Sequence, residues 1–464
     1  MDFSRLRFKQ VVVSSFLPPS TQQEDESQRG PLRNKSKLGC RECKIKRVKC
    51  DEAYPTCKRC QRQGLVCSSA PRLTQWQVET PWLSLQPKTH VKPRLLQYWL
   101  EKVSQVSVID PENNPFSFPL LDTLPNPPHF SMLSSRSVPA MSKQYFPATA
   151  PVVALDERGK AIACLRREMD QIHRAPYAHF LTIMLLALMQ IADSDPKDYG
   201  RQHLSGARAL INRMLRDVSM STTTNESVFR LCLGLYLYWD MCSSFLVEPA
   251  EPEGLNSFDI SLAVLRMGDW HHPMYATCSR LLLIIANVGR YCRQVYDMPQ
   301  SRNHVQEAML EALLSTWTAD SPDSDLRHLY EAFRNHGLVF LHQSRAHAQR
   351  RCPMNPSVTE EQGSLILRYA EATVRHLLRI PASSYTLNFQ SLSLLIAGSE
   401  LTKSDHILRD EVRGRLRVIY SFNRLPANLM ALQFLEELWD ARDSGNPSFW
   451  LSYMMQKDWR LLLV

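Results

Sequence analysis

Residues 40–67 read CRECKIKRVKCDEAYPTCKRCQRQGLVC, and this stretch decides what kind of protein the chain is. Six cysteines fall at Cys40, Cys43, Cys50, Cys57, Cys60 and Cys67. The spacing is C-x2-C-x6-C, a connection of six residues, then C-x2-C-x6-C again. The second half repeats the first at an offset of 17 residues, an internal pseudo-twofold. Zinc favours four ligands in a tetrahedron and takes thiolate readily. Two separate sites would need eight sulfurs, but six suffice when two of them bridge both metals. The symmetry nominates the leading cysteine of each half, Cys40 and Cys57, as the bridges. One quartet is then Cys40, Cys43, Cys50 and Cys57, and the other Cys57, Cys60, Cys67 and Cys40. Each C-x2-C pair fits the first turn of a short helix, where positions i and i+3 share a face. Gly64 follows the second of these helices and suits a left-handed C-terminal cap. The competing reading is a disulfide staple of the kind that holds small secreted domains. Loops packed with lysine and arginine, with no secretory signal ahead of them, favour the metal.

Charge points the same way. Between Arg29 and Arg72 stand thirteen basic side chains against three acidic ones, Glu42, Asp51 and Glu52. The whole chain carries +9, so the remainder is close to neutral. Basic charge this local implies a polyanionic partner rather than general solubility. Arginine or lysine donating to guanine O6 and N7 is the commonest base-reading contact in the major groove. A first helix beginning near Cys40 and ending near Arg47 would hold Lys46 and Arg47 at its C-terminal end. Arg41, Lys44, Lys49, Lys58, Arg59 and Arg62 are placed for phosphate, which positions a module without specifying sequence.

Residues 40–67 resemble the fungal binuclear zinc cluster, the Zn2Cys6 class of transcription factor. The resemblance rests on the cysteine frame, the basic run Lys44, Lys46, Arg47 and Lys49, then Asp51, and Pro55 in the loop joining the halves. It implies two Zn2+ per chain with Cys40 and Cys57 shared. It also implies base contacts from Lys46 and Arg47, partly through their carbonyls, and CGG-type triplets in double-stranded DNA. The family usually carries lysine where this chain has Arg47, a change of reach and geometry at the reading position.

Around this module the chain divides into four parts. Residues 1–36 are polar and interrupted by proline, and read as a disordered tail. The module occupies 37–70. Residues 71–144 form a proline-rich linker with one amphipathic helix over 94–108, where Leu95, Leu96, Trp99, Leu100, Val103 and Val106 recur at helical spacing. That run is about two heptads, short of a sustained coiled coil. It is expected to pack on the domain that follows, with a homodimer through it as the alternative.

From 145 to 464 the pattern is helical. Helices are expected over Phe180–Ile191, His203–Leu215, Val228–Phe245, Cys278–Val295, Val305–Ala319, Leu326–Arg345, Glu360–Leu378, Ser404–Phe422 and Leu425–Arg442. Strand-like alternation is almost absent, so the fold class is mainly α: a small zinc module followed by a large all-helical regulatory domain. Three stretches resemble the large fungal-specific domain found behind zinc clusters: residues 202–211, residues 394–400, and Phe434–Trp439 with Trp450 after a short loop. The resemblance departs at Lys457-Asp458, near a place where the family carries glycine.

Other features direct the functional reading. No segment reaches the ~18 apolar residues of a membrane span. Glycine is scarce, at 15 residues, and there is no G-x-G-x-x-G, Walker A, G-x-S-x-G or H-E-x-x-H motif, so no catalytic residue is nominated. His271 and His272 lack further ligands at suitable spacing and read as a loop before Pro273. Arg345, His347, Arg350 and Arg351 read as a basic helix face, open to an acidic effector. Glu436, Glu437, Trp439 and Asp440 read as a packing helix with a solvated acidic face. The expected function is sequence-specific DNA binding in the nucleus, regulating RNA polymerase II transcription with the transcription machinery as partner. The regulated genes would be a secondary-metabolite, stress or nutrient set. The alternatives are a ligand-sensing helical domain, an RNA-binding use of the basic module, and an enzyme.

Overall fold

The structure, a computed structural model, describes residues 39–68 (Tyr54 aside), 108–109, 114, short pieces between 158 and 169, 176–192, 196–218, 223–248, 256–351, 359–446 and 448–464. Two short helices, α1 (Arg41–Ile45) and α2 (Lys58–Arg62), build the cysteine module. The helical domain begins with α3 (Pro176–Ala192), α4 (Arg201–Val218), α5 (Thr223–Ser243), α6 (Phe258–Met267) and α7 (Ser279–Asp297). It continues with α8 (His304–Thr316), α9 (Ser324–Arg351), α10 (Thr359–Arg379) and α11 (Ser391–Gly398). It ends with α12 (His406–Asn423), α13 (Ala427–Asp443) and α14 (Trp450–Gln456). Among the described residues there is no strand, only the isolated bridge between His272 and Ala276.

The 28-residue α9 is the spine of the domain. One side of it packs on α7, which packs in turn on α5, and the other side packs on α10 and α11. Its middle turns are buried nearly all round, from Ala332 through Ser344, as expected of a helix with neighbours on several faces. Phe245, Phe340 and Trp450 meet edge-on or tilted, with ring centroids 5.1–5.8 Å apart. The Trp450 indole N–H donates to Gln343 Oε1 at 2.8 Å, so its polar edge is satisfied inside the core. Gly234 on α5 is required by close approach: a Cβ there would collide with the His272 ring and the Tyr275 hydroxyl.

Charges inside the domain are paired. Asp240 is fully buried and accepts from Arg208, Arg290, Tyr236 and Asn256. Burial pushes its carboxyl pKa up, but the Arg290 and Arg208 guanidiniums outweigh this and hold it below the usual range. Such a network ties α4, α5 and α7 together at one point.

Several helices differ in extent from their sequence patterns. The pattern over Val305–Ala319 overshoots, because α8 stops at Thr316 and Trp317 turns to extended backbone. The pattern ending at Arg345 undershoots, because α9 runs on to Arg351. The helices α6, α11 and α14 lie outside the expected spans; α6 buries Ile260, Val264 and Met267 at helical spacing but is only ten residues long. All eight residues of α11 are buried, so it has no polar face to set a period. The amphipathic stretch 94–108 lies outside the described residues except for Val108, which is buried in the core of the helical domain.

The family-like stretches near the C-terminus meet in space. Trp439 Nε1 donates to the Gly398 carbonyl at 2.8 Å, and Arg442 pairs with Glu400 at 2.8 Å. In the Lys457-Asp458 pair, where the resemblance departs, Asp458 adopts left-handed backbone, with φ 55°. Its amide donates to Met455 O, closing the turn after α14.

Candidate metal centre and nucleic-acid interface

The cysteines at the head of each repeat cap their own helices. Cys40 is the N-cap of α1, and its Sγ accepts from the Cys43 amide at 3.5 Å. Cys57 is the N-cap of α2, and its Sγ accepts from the Cys60 amide at 3.4 Å. A helix N-terminus with unsatisfied N–H groups favours the thiolate over the thiol. Each helix ends the same way after one turn. Arg47 (φ 53°) and Gly64 (φ 60°) are both left-handed. The next amides, Val48 and Leu65, reach back to Cys43 O at 3.1 Å and Cys60 O at 2.9 Å. These are paired Schellman-type caps. The sequence anticipates the one at Gly64. It gives no sign of the one at Arg47, since an arginine seldom takes this backbone.

Between the halves, Asp51 accepts the Lys58 amide with both oxygens, at 3.1 and 3.2 Å, and so fixes the second helix to the connecting loop. Glu42 accepts from the amide and the hydroxyl of Ser68, each at 2.8 Å, tying the end of the module to its first helix. Burial raises the pKa of Glu42, but these hydrogen bonds outweigh it and the net shift is downward.

All six cysteines are buried and none is in a disulfide. They fall into two quartets, Cys40-Cys43-Cys50-Cys57 and Cys40-Cys57-Cys60-Cys67, each with its sulfurs within 4.8 Å of one another. The donor set fits zinc. A tetrahedron of sulfurs about 2.3 Å from a zinc ion has edges of about 3.8 Å. Cys40 lies 3.8 Å from Cys57, Cys60 and Cys50, and Cys43 lies 3.7 Å from Cys57. A disulfide needs about 2.0 Å, so the staple reading does not describe this packing. Burial pushes the Cys40 and Cys57 thiols up and Cys60 up to about 11. A cation among the sulfurs is what would stabilise their thiolates.

The basic residues are distributed unequally. The turn from Lys44 through Lys49 is exposed throughout, and it carries Lys44, Lys46, Arg47 and Lys49. Arg41, Lys58 and Arg62 are also exposed. Arg59 is half-buried, with Nη1 3.9 Å from Cys43 Sγ, so its charge lies against the sulfurs rather than pointing outward.

The helical domain's other nominated groups are structural. His272 is fully buried, bonded to Leu231 O and the Met274 amide and stacked on Tyr275, while His271 beside it is exposed. The expected basic face divides: Arg350 and Arg351 are exposed, whereas Arg345 and His347 are turned into the domain. Arg345 pairs with Glu307 at 3.2 Å and Glu311 at 2.7 Å, and His347 packs between Tyr296 and Phe449. Trp439 is buried, Glu436 pairs with Arg413, and Glu437 pairs with Lys457. Three residues without any local sequence signal touch the cysteine module from α12 and its cap: Arg417, Ser421 and Arg424.

Residues 38–77 match the fungal Zn(2)-Cys(6) binuclear cluster domain, and residues 94–464 match the fungal specific transcription factor domain. The chain belongs to the family of fungal Zn2Cys6 transcription factors, a family of DNA-binding regulators rather than enzymes. Among curated proteins it is 43% identical over 44 residues to the Zn(2)-C6 fungal-type transcription factor afumD of Aspergillus fumigatus, covering 9% of this chain and 12% of that one. It is 53% identical over 38 residues to Sterol uptake control protein 2 of Saccharomyces cerevisiae, 8% of this chain and 4% of that one. It is 41% identical over 67 residues to Transcription factor lfc1 of Flammulina velutipes, 13% of this chain and 24% of that one. The chain therefore spans less than a quarter of the length of each of these relatives. No solved structure matches it. No helix among the described residues is long and apolar enough to cross a membrane.

Proposed function

We infer that this chain is a nuclear, sequence-specific regulator of RNA polymerase II transcription whose cysteine module holds two Zn2+ and reads CGG-like triplets. Cys40 and Cys57 serve both metals, and the remaining four cysteines serve one each. Zinc supplies the cross-link that gives so short a segment a fixed shape. Lys46 and Arg47 read bases, while Arg41, Lys44, Lys49 and Lys58 hold phosphates. Arg59 offsets part of the negative charge that six thiolates keep after two Zn2+ are bound. Residues 37–70 form the reading module and 145–464 the regulatory domain, joined by the linker 71–144. The regulated genes belong to a secondary-metabolite, stress or nutrient set.

The observation that carries this reading is the exposed basic turn Lys44–Lys49, held at the end of a rigid helix by a left-handed cap. The test is selection of sites from random duplex DNA by the zinc-loaded full chain. Enrichment of a CGG-like triplet supports the reading. Binding that shows no enrichment and only fades with salt would withdraw it. Two triplets at fixed spacing would establish a homodimer.

A ligand-sensing role for the helical domain is a second reading. It draws on a polar cleft of about 330 Å³ lined by Lys197, Arg201, His203, Glu248 and Arg460 among others. Thermal shift of the full chain against candidate metabolites tests it.

A further inference from the structure

The two halves of the cysteine module repeat each other in spacing, caps and backbone, but not in what covers them. At the 17-residue offset, Lys46 corresponds to Gln63, Arg47 to Gly64, Val48 to Leu65 and Lys49 to Val66. The basic turn of the first half is a neutral turn in the second. That neutral turn lies against the C-terminal end of α12. The Arg417 guanidinium stands over Gly64, with Nη1 2.9 Å from where a Cβ would be. The Cys67 amide donates to Ser421 Oγ at 3.0 Å. The Cys67 carbonyl accepts from Arg424 Nη2 at 2.9 Å. Arg424 is itself the left-handed cap of α12, with φ 59°. Gly64 and Val66 are half-buried, while their counterparts Arg47 and Lys49 are exposed; Gln63 and Leu65 remain exposed, as Lys46 and Val48 are.

We propose that the second half of the cysteine module is a docking element that seats it on α12 through Arg417, Ser421 and Arg424, so that the turn of the first half, and not its counterpart in the second, reads the bases. Three features support this. The contact grips Cys67 by both its amide and its carbonyl, so it restrains a cysteine of the cluster rather than a loose tail. Two arginines face a turn that has no basic residue, whereas the Lys46–Lys49 turn would be repelled from the same place. Gly64 suits the seat twice, since its backbone is left-handed and a side chain would displace Arg417. The seat also connects the reading module to the helical domain without the linker. A change in the packing of α12 is then felt at Cys67.

The docking itself does not depend on the DNA-reading assignment. The presentation of the first half does, so the experiment separates the two. Amide hydrogen exchange is followed on the zinc-loaded full chain, with and without a duplex carrying the selected triplet. The wild type is compared with Arg424→Ala, Ser421→Ala and Arg417→Ala, with zinc content and helicity as controls for folding. Without DNA, the segment 64–68 should be protected in the wild type. It should exchange at least about tenfold faster in Arg424→Ala or Ser421→Ala, since each removes one hydrogen bond to Cys67. Arg417→Ala should show a smaller gain. Equal exchange of 64–68 in the wild type and the Arg424 and Ser421 variants would overturn the docking. On adding DNA, 44–49 should gain protection while 64–68 keeps its own. Loss of protection at 64–68 on DNA binding would overturn the presentation and make the seat a latch that DNA opens.

Discussion

The two halves of the cysteine module have the same skeleton and opposite surroundings. Each starts on a cysteine that caps a five-residue helix, and each ends in a left-handed residue followed by a backward hydrogen bond. Yet the first half ends in exposed lysine and arginine, and the second ends in a neutral turn whose Gly64 and Cys67 meet a helix more than 300 residues further along the chain. The comparison teaches that ligand spacing sets the shape of a metal module, while its outward residues set which side is free. A repeat in sequence therefore need not be a repeat in function.

The largest expected effect is on what the halves share. Cys40→Ser or Cys57→Ser removes a donor from both quartets, and Cys43→Ser or Cys60→Ser from only one. Native mass spectrometry should show both zinc ions weakened in the first pair and one retained in the second. Matching zinc loss from all four variants would break the shared-sulfur arrangement.

Next comes the reading turn. Lys46→Ala and Arg47→Ala should each lower discrimination for the selected triplet by about 1–3 kcal/mol, measured by competition between matched and mismatched duplexes. Gln63→Ala, the counterpart in the second half, should leave it unchanged. An equal loss at Gln63 would mean that both halves read DNA.

A backbone effect follows. Gly64→Ala should destabilise the module by about 1–2 kcal/mol, because an L-residue at positive φ crowds its own carbonyl. It should also displace Arg417, so the loss read by resistance to a zinc chelator should shrink in an Arg417→Ala background. Arg47→Gly tests the same position in the first half with the opposite sign. It relieves the strained cap, partly offset by glycine's greater freedom when unfolded, and it weakens DNA binding at the same time. Chelator resistance rising while affinity falls is the expected pair of results.

The smallest effect concerns phosphate. Lys44→Ala and Lys49→Ala should weaken binding similarly on all sequences, each reducing the slope of log affinity against log salt by about 0.9. Arg59→Ala should change that slope least, since its guanidinium lies against Cys43, and should lower zinc retention instead.

Much of the helical domain is legible in its residue pattern. Long helices such as α4 and α10 show a strong apolar stripe, because one face is buried and the other meets water. The eight-residue α11 is buried on all sides, so its pattern carries no period and it stands out only through resemblance to the family. Of the basic face expected around Arg345, that arginine itself is lost to Glu307 and Glu311 on α8, while Arg350 and Arg351 stay exposed. Periodicity reports which face of a helix is apolar, and cannot report which charges a neighbouring helix brings.

The metal module is written locally in the chain. All six sulfurs lie within 28 residues, and ligation at C-x2-C spacing is a local matter of one helical turn. The charge difference between the two turns is equally local. The meaning of that difference comes from long-range packing. Ser421 and Arg424 lie 354 and 357 residues from Cys67, and no local rule connects a serine and an arginine on one helix to a cysteine so distant. Their meeting depends on how α12 packs against its neighbours, a property of the whole core rather than of any stretch within it.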